Sequence, residues 1–135
     1  AASDVYKRQL KGLGFYDSGS RSFYTKDEPI LEPDNLKGLN IRTMESPTAM
    51  AAVNIMGGSA TPLAFGELYT ALQAGIVDGA ENNPPSFYLT KHFEVCKYYV
   101  LDEHTCIPDV ILMNSTSWDK LTQEEKTWLK ESVEE

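Results

Sequence analysis

The fold is decided by the stretch TPLAFGELYTALQAGIVDGAENNPP, residues 61–85. The spacing of apolar side chains over residues 66–74 predicts a helix, and Gly75 stands where a helix C-cap is expected. Ile76 and Val77 begin a strand that is predicted over residues 76–81, and the turn-forming residues 82–85 end it. A strand is also predicted before this helix, at residues 59–64. A helix between two strands predicts an α/β fold whose polar residues gather at the end of a strand. In open α/β sheets, ligands bind at the carboxyl ends of the strands.

The flanking sequence continues this alternation of strands and helices, which is typical of the α/β class. Further strands are predicted at residues 14–16, 22–25, 39–43, 59–64, 97–101 and 109–114. One helix is predicted to begin at Ser46 and Pro47 and to end at Gly57. A short helix is predicted over residues 84–90, and the capping box Thr122-x-x-Glu125 opens the last one.

Four segments resemble one known family. They are LKGLNIRTMESP (36–47), FGELYTALQAGIVDGAEN (65–82), FEVCKYYVLDEHT (93–105) and WDKLTQEEKTWL (118–129). Together they are similar to the solute-binding proteins of TRAP (tripartite ATP-independent periplasmic) transporters, DctP type. The resemblance implies a two-lobed α/β receptor of the periplasmic solute-binding-protein kind, of which this chain covers most of one lobe and part of the other. Residues 10–106 are expected mainly in lobe two, and residues 107–135 return toward lobe one.

The resemblance also implies a function. Members of the family close around an organic acid by hinge bending and deliver it to membrane permease subunits. We therefore expect a periplasmic receptor and a fragment without its signal peptide and N-terminal half. The fragment expectation has a second basis, because DVYKRQ at residues 4–9 resembles the translated end of a transposon used in sequencing libraries. Residues 1–9 are accordingly predicted to be a non-native scar.

Composition excludes several classes of function. The net charge is −8, whereas nucleic-acid binding needs clustered Lys and Arg. No apolar run has the length of a membrane span, so direct membrane insertion is not expected. There is no P-loop, GxGxxG or GxSxG motif, and we predict neither a cofactor nor a catalytic residue. Cys96 and Cys106 lack metal-ligand spacing, and an oxidising compartment would allow a disulfide, but small residues packed near strands are the simpler interpretation.

Two arginines are the candidate anion-binding residues. Arg42 stands near the end of a predicted strand, just before the helix opened by Ser46, and a guanidinium can hold a carboxylate in two parallel hydrogen bonds. Position alone fits a surface ion pair equally well. The resemblance implies that Arg42 is the family's carboxylate-binding arginine, and that Arg21 is a second arginine facing the ligand.

The resemblance adds two further contacts. Asn82 matches a pocket asparagine, whose amide can donate to a carboxylate and accept from a hydroxyl. Phe65 matches an aromatic residue that packs against ligand. Alternatively, Asn82 is a turn residue before Pro84, and Phe65 is an ordinary core side chain.

Two carboxylates suggest the class of ligand. Glu45 and Asp109 match pocket positions in relatives, and here they would repel a second ligand carboxylate but accept hydrogen bonds from hydroxyls. They therefore favour a sugar acid, such as a uronate or aldonate, over a C4-dicarboxylate, which remains the alternative. Without a pocket, Glu45 would cap the following helix and Asp109 would face solvent.

Two other classes of protein remain open. A small-molecule α/β enzyme could use Asp78 or Glu81, although carboxylate pairs cannot be placed from sequence. A protein–protein adaptor would rest only on the exposed surface of a fragment. His92 and His104 are expected to be structural residues, and no metal site is predicted.

Overall fold

The computed structural model describes residues 9–134, which form two compact units, one of residues 19–106 and the other of residues 9–18 with 107–134. The strands are β1 (Leu10–Tyr16), β2 (Ser20–Thr25), β3 (Asn40–Thr43), β4 (Ser59–Pro62), β5 (Gly79–Asn82), β6 (Tyr98–Tyr99), β7 (Thr105–Cys106) and β8 (Asp109–Asn114). The helices are α1 (Pro47–Ile55), α2 (Leu68–Ala74), α3 (Pro84–Leu89), α4 (Ser115–Asp119) and α5 (Gln123–Glu134). Single 3₁₀ turns occur at Pro33–Leu36, Phe65–Glu67 and His92–Glu94.

A mixed sheet forms the larger unit, in the order β4-β3-β5-β2-β6, with β7 also paired to β2. Strand β3 runs parallel to β4 and β5, whereas β2 runs antiparallel to β5, β6 and β7. The carboxyl ends of β3 and β5 therefore lie at the same edge as the amino end of β2. We call this the β3/β5 edge.

The two faces of the sheet bury different clusters. Tyr24 and Arg42 both pair with Ala80, so their side chains share one face, and Leu68 and Leu72 of α2 belong to the hydrophobic cluster there. The opposite face carries a second cluster, which consists of Phe23, Ile30, Leu36, Ile41 and Val53. A helix on each face explains why these strands are buried on both sides.

Local capping defines the helix ends. The Ser46 hydroxyl accepts a hydrogen bond from the Ala49 amide at 3.4 Å and opens α1. Gly75 closes α2 in the left-handed region, with φ of 73°, where glycine is the least strained residue. The Thr122–Glu125 capping box forms in both directions before α5. These three predictions are confirmed.

The smaller unit is built on the antiparallel pair β1–β8, which has an irregularity between Gly12 and Gly14. Helix α5 packs closely on β1 at Gly14. A Cβ atom added at this glycine would lie 2.3 Å from Cγ1 of Val133, so no larger residue fits there without movement. Trp118 of α4 is nearly buried, and the ammonium group of Lys11 lies over its ring, 5.6 Å from the ring centre. None of the helices in residues 9–134 has the length and apolar character of a membrane span.

The structure differs from the sequence predictions mainly in its strands. The strand predicted at residues 14–16 begins earlier, at Leu10, and pairs with β8. Strand β5 begins only at Gly79, and β6 is reduced to two residues. The assignment of residues 10–106 and 107–135 to particular lobes stays a prediction.

The cysteines do not share one environment. Within residues 9–134 no disulfide is formed; Cys96 is buried and Cys106 is exposed in β7. Both cysteines lie in or near strands, as expected, because Cys106 belongs to β7 and Cys96 precedes β6 by two residues; only Cys96 is also part of the core. The predicted scar at residues 1–9 lies outside the described residues except for Gln9.

Candidate ligand-binding site

Polar and charged residues meet at the β3/β5 edge. Arg42 lies near the end of β3, Glu81 and Asn82 end β5, and Arg21 lies near the start of β2. Ser22 pairs with Asn82 in the antiparallel ladder, which brings the start of β2 beside the end of β5. The sheet therefore gathers three of the predicted contacts at one edge, where α/β sheets bind ligands.

Arg42 is buried, with only 3% of its surface exposed. Its Nε donates a hydrogen bond to the Leu63 carbonyl oxygen at 2.8 Å, and its Cζ lies 5.5 Å from the centre of the Phe65 ring. Among the described residues no carboxylate lies within ion-pair distance of its guanidinium. Burial lowers the pKa of Arg42, but a guanidinium keeps its charge at any physiological pH. The two terminal nitrogens are thus available to an anion from outside the chain.

Phe65 is predicted to contact ligand, and the structure places it beside Arg42. Its ring is partly exposed and meets the His92 ring edge-on at 5.8 Å between centroids. His92 is 1% exposed, and its Nδ1 lies 2.8 Å from the Tyr24 hydroxyl. Burial, together with the charge of Arg42, lowers the pKa of His92. The uncharged His92 ring is therefore held in place by Tyr24, and it packs against the Phe65 ring that contacts Arg42.

Arg21, the second predicted arginine, is held by a carboxylate of the chain itself. Its Nε contacts Glu81 Oε2, and its Nη2 donates to Glu81 Oε1 at 2.9 Å and to the Glu81 backbone oxygen at 3.0 Å. The Arg21 and Glu81 side chains are only 13% and 5% exposed. Arg21 is therefore neutralised in a side-on bidentate pair, unlike Arg42.

The same cluster continues to a histidine. The His104 ring stacks on Phe23 with centroids 4.2 Å apart. Its Nδ1 lies 2.6 Å from Asp102 Oδ2, and its Nε2 lies 3.9 Å from Glu81 Oε2. Both histidines thus make contacts within the fold, as expected of structural residues.

Asn82 combines a turn role with a free donor. Its Oδ1 accepts a hydrogen bond from the Asn83 amide at 2.9 Å, and its backbone oxygen accepts one from the Tyr99 hydroxyl at 2.8 Å. Within residues 9–134 its Nδ2 group has no acceptor. Asn83, rather than Asn82, caps α3. Asn82 is 6% exposed and keeps one amide donor for a ligand.

The two carboxylates predicted to accept ligand hydroxyls lie in different units. Glu45 is exposed immediately before α1, and the described residues offer it neither an ion pair nor a hydrogen bond. The Ser46 hydroxyl caps α1, so Glu45 does not act as the cap. Asp109 is exposed at the start of β8 in the smaller unit, where its charge raises the pKa of Tyr16.

Sequence reasoning missed several residues that shape the site. Glu81 was considered only as an enzymatic carboxylate, and the roles of Leu63, His92 and Asp102 carried no local signal. The family motif at residues 65–82 does contain Glu81, next to Asn82, so the motif marked its position but not its partner.

Comparisons with known proteins establish the family of the chain. The chain matches the DctP family model, bacterial extracellular solute-binding protein, family 7, over residues 1–135. The foreign origin of residues 1–9 stays a prediction. A solute-binding protein of Chromohalobacter salexigens is 37% identical over 134 residues, which are 99% of this chain and 40% of that protein.

Two solved structures are similar in both sequence and fold. A TRAP periplasmic solute-binding protein from Sulfitobacter sp. NAS-14.1, with bound β-D-galacturonate, is 41% identical with a TM-score of 0.87, and the match covers 98% of this chain and 44% of that one. Another from Anaerococcus prevotii, with bound α/β D-glucuronate, is 44% identical with a TM-score of 0.85, over 96% and 42% of the two chains. The chain spans about 40% of the length of the curated relatives it matches. It belongs to the DctP family of bacterial extracellular solute-binding proteins, as its sequence motifs predicted.

Proposed function

We propose that the protein containing this chain is the periplasmic receptor of a TRAP transporter. It captures an organic acid, best a sugar acid such as a uronate or aldonate, and delivers it to the membrane permease subunits. The observation that carries this proposal is the buried Arg42, which has no carboxylate partner among the described residues.

The surroundings of Arg42 favour an anion. Burying an unpaired guanidinium is unfavourable, and a ligand carboxylate would relieve that cost. The bond from Nε to the Leu63 oxygen fixes the plane of the guanidinium, and the Phe65 ring covers it. Both terminal nitrogens can then donate to one carboxylate in the bidentate geometry that arginine favours. Hinge closure would exclude water and strengthen this pair.

The hydroxyl groups of a sugar acid need acceptors and donors near that carboxylate. Asn82 supplies an amide donor at the same edge, and Glu45 is a carboxylate without a partner among residues 9–134. We propose both as ligand contacts, and also Asp109, on the family resemblance alone. The galacturonate and glucuronate bound by the two similar solved structures are sugar acids of this kind.

Binding by the complete protein tests the proposal. A thermal-shift and calorimetric screen would compare D-glucuronate, D-galacturonate, D-gluconate, succinate and malate, with D-glucose as the control that lacks a carboxylate. A ligand at 100 times its Kd should stabilise the protein by about 2.7 kcal/mol. We expect sugar acids to bind and glucose to fail. Binding of succinate or malate alone would replace the sugar-acid assignment with the C4-dicarboxylate alternative, and binding of none would refute the receptor function.

Glu45→Gln then tests the hydroxyl-accepting role, with Glu94→Gln as a matched loss of one exposed carboxylate. The Glu45 variant should weaken sugar-acid binding while the Glu94 variant does not. Equal affinities in both variants would exclude Glu45 as a contact.

The enzyme alternative has less support. Asp78 Oδ2 accepts a hydrogen bond from the Asn40 amide at 2.8 Å, and Glu81 is held by Arg21. Both carboxylates therefore stabilise the fold. Recovery of a bound acid unchanged after prolonged incubation would agree with transport, and its conversion would favour an enzyme.

A further inference from the structure

We propose that His92 links ligand binding to pH: the carboxylate that binds at Arg42 makes His92 take up a proton, so the receptor binds its acid more tightly in mildly acidic surroundings. This inference rests on the proposed receptor function and deepens it, because it adds a regulatory group to the same site. In this role His92 acts on the ligand through the charge of Arg42 and not by contact.

Two ring contacts connect His92 with Arg42. The His92 ring is 1% exposed and meets the Phe65 ring edge-on, with centroids 5.8 Å apart. The same Phe65 ring lies 5.5 Å from the guanidinium carbon of Arg42. Because both contacts share one ring, the His92 ring lies within about 11 Å of that carbon, close enough for the two charges to interact inside a protein.

Ligand binding changes the charge that His92 experiences. Burial lowers the pKa of His92, and the positive charge of Arg42 lowers it further. A ligand carboxylate at Arg42 offsets that positive charge and should therefore raise the pKa of His92. Closure around the ligand adds little desolvation, because the imidazole is almost fully buried already. The ligand-bound protein should thus hold a proton at His92 more strongly than the free protein.

The other titratable groups around His92 offer no comparable link to the ligand. They are Tyr24 on β2, Tyr69 on α2, and Glu94 and Cys96 in and after the 3₁₀ turn of His92. The pKa values of Tyr24, Tyr69 and Cys96 are all raised, so these groups stay neutral below about pH 8. Glu94 is exposed and accepts a hydrogen bond from the Tyr69 hydroxyl at 2.8 Å, where solvent screens its charge.

Calorimetry on the complete protein measures proton uptake directly. Titrations with D-glucuronate at about pH 5.5, in buffers of different ionisation enthalpy, give the number of protons taken up per ligand. We expect at least about 0.2 proton, and an affinity that rises about three- to tenfold between about pH 7.5 and about pH 5. The sign follows from a pKa that is higher in the bound form, so affinity increases as pH falls through the range below about 6.5.

His92→Gln is the main variant, because glutamine cannot titrate but keeps an amide that can bond to the Tyr24 hydroxyl. Its proton uptake should fall by at least half, and its affinity should vary less with pH. His104→Gln is the matched control: it removes the other histidine of this chain, which lies beside Asp102, and it should keep the uptake.

A measurement on the wild type covers the case in which His92→Gln does not fold. An NMR titration follows the His92 ring protons, assigned through their contact with the Phe65 ring, with and without D-glucuronate. The midpoint should lie at higher pH in the complex. An unchanged or lower midpoint overturns the inference.

The remaining outcomes separate the two proposals. Glucuronate binding without proton uptake, or uptake that falls by less than half in His92→Gln, overturns the role of His92 and leaves the receptor function standing. If C4-dicarboxylates alone bind, the same titrations use succinate, whose own titration is common to wild type and variant and cancels in the difference. Failure of the wild type to bind any of the acids screened refutes the receptor function, and the inference with it.

Discussion

Replacing Arg42 by methionine distinguishes an arginine kept for ligand from one kept for stability. Methionine has a similar length and no charge, so Arg42→Met removes the proposed carboxylate contact while filling much of the same volume. We expect ligand binding to be lost, but the stability of the ligand-free protein to change little.

The magnitude follows from the contacts of Arg42. Losing the bond from Nε to the Leu63 oxygen costs about 1.5–3 kcal/mol, as for other hydrogen bonds to charged groups. Losing the contact with the Phe65 ring costs about 0.5–2 kcal/mol. Against these losses, the variant no longer desolvates a buried guanidinium, a cost of several kcal/mol per ion. The free energy of unfolding should therefore change by no more than about 2 kcal/mol.

Arg21→Met is the matched control, because it removes the same type of side chain from the same edge. It leaves Glu81 buried without its partner, and breaking a buried ion pair in this way typically costs about 3–5 kcal/mol. Urea denaturation of the ligand-free complete protein measures both variants, and calorimetry with D-glucuronate measures binding. If Arg42→Met destabilised the protein as much as Arg21→Met, Arg42 would be a structural residue, and our reasoning would fail.

Three further predictions concern residues of the larger unit. Gly79→Ala should destabilise the fold by about 1–3 kcal/mol in urea, because its Cβ would lie 2.5 Å from the backbone oxygen of Tyr24; an unchanged midpoint would contradict this. The pKa of His92 is lowered in the folded state, so its contribution to stability should be complete above about pH 6.5 and should decline as pH falls below that value toward the folded pKa. His92→Phe should flatten this part of the stability profile, and an identical profile would exclude His92 as its source. A thiol reagent should modify the exposed Cys106 quickly and Cys96 only in denaturant, since burial raises the pKa of Cys96 to about 12; rapid modification of both in native protein would disagree.

Sequence reasoning predicted the features that depend on neighbouring residues. The Ser46 cap, the left-handed Gly75 and the Thr122–Glu125 capping box are all set by contacts within a few residues. Strand pairing depends on contacts between distant residues, and for that reason the pairing of β1 with β8 was not predicted. The family resemblance supplied the candidate site residues, because no local pattern distinguishes a ligand-binding arginine from a surface one.

The sequence also could not show which side chains of the site contact one another, because those contacts join residues that are distant along the chain. Arg21 and Glu81 are 60 positions apart, and Tyr24 and His92 are 68 apart. Their side chains meet only after β2 pairs with β5 and the loop after α3 packs on the sheet. A charge count of the whole chain could not show that one arginine is neutralised while the other is not.

The antiparallel register of β2 against β5 also makes ligand binding a sensitive report of correct folding. Ser22 faces Asn82 and Phe23 faces Glu81 across the ladder, so Arg21 reaches Glu81 only in this register. Because side chains alternate between faces, a slip of one residue would transfer Arg21 to the face of Tyr24 and expose Phe23 on the wrong side. Insertions or deletions beside β2 should therefore abolish binding long before they remove the sheet from a circular dichroism spectrum.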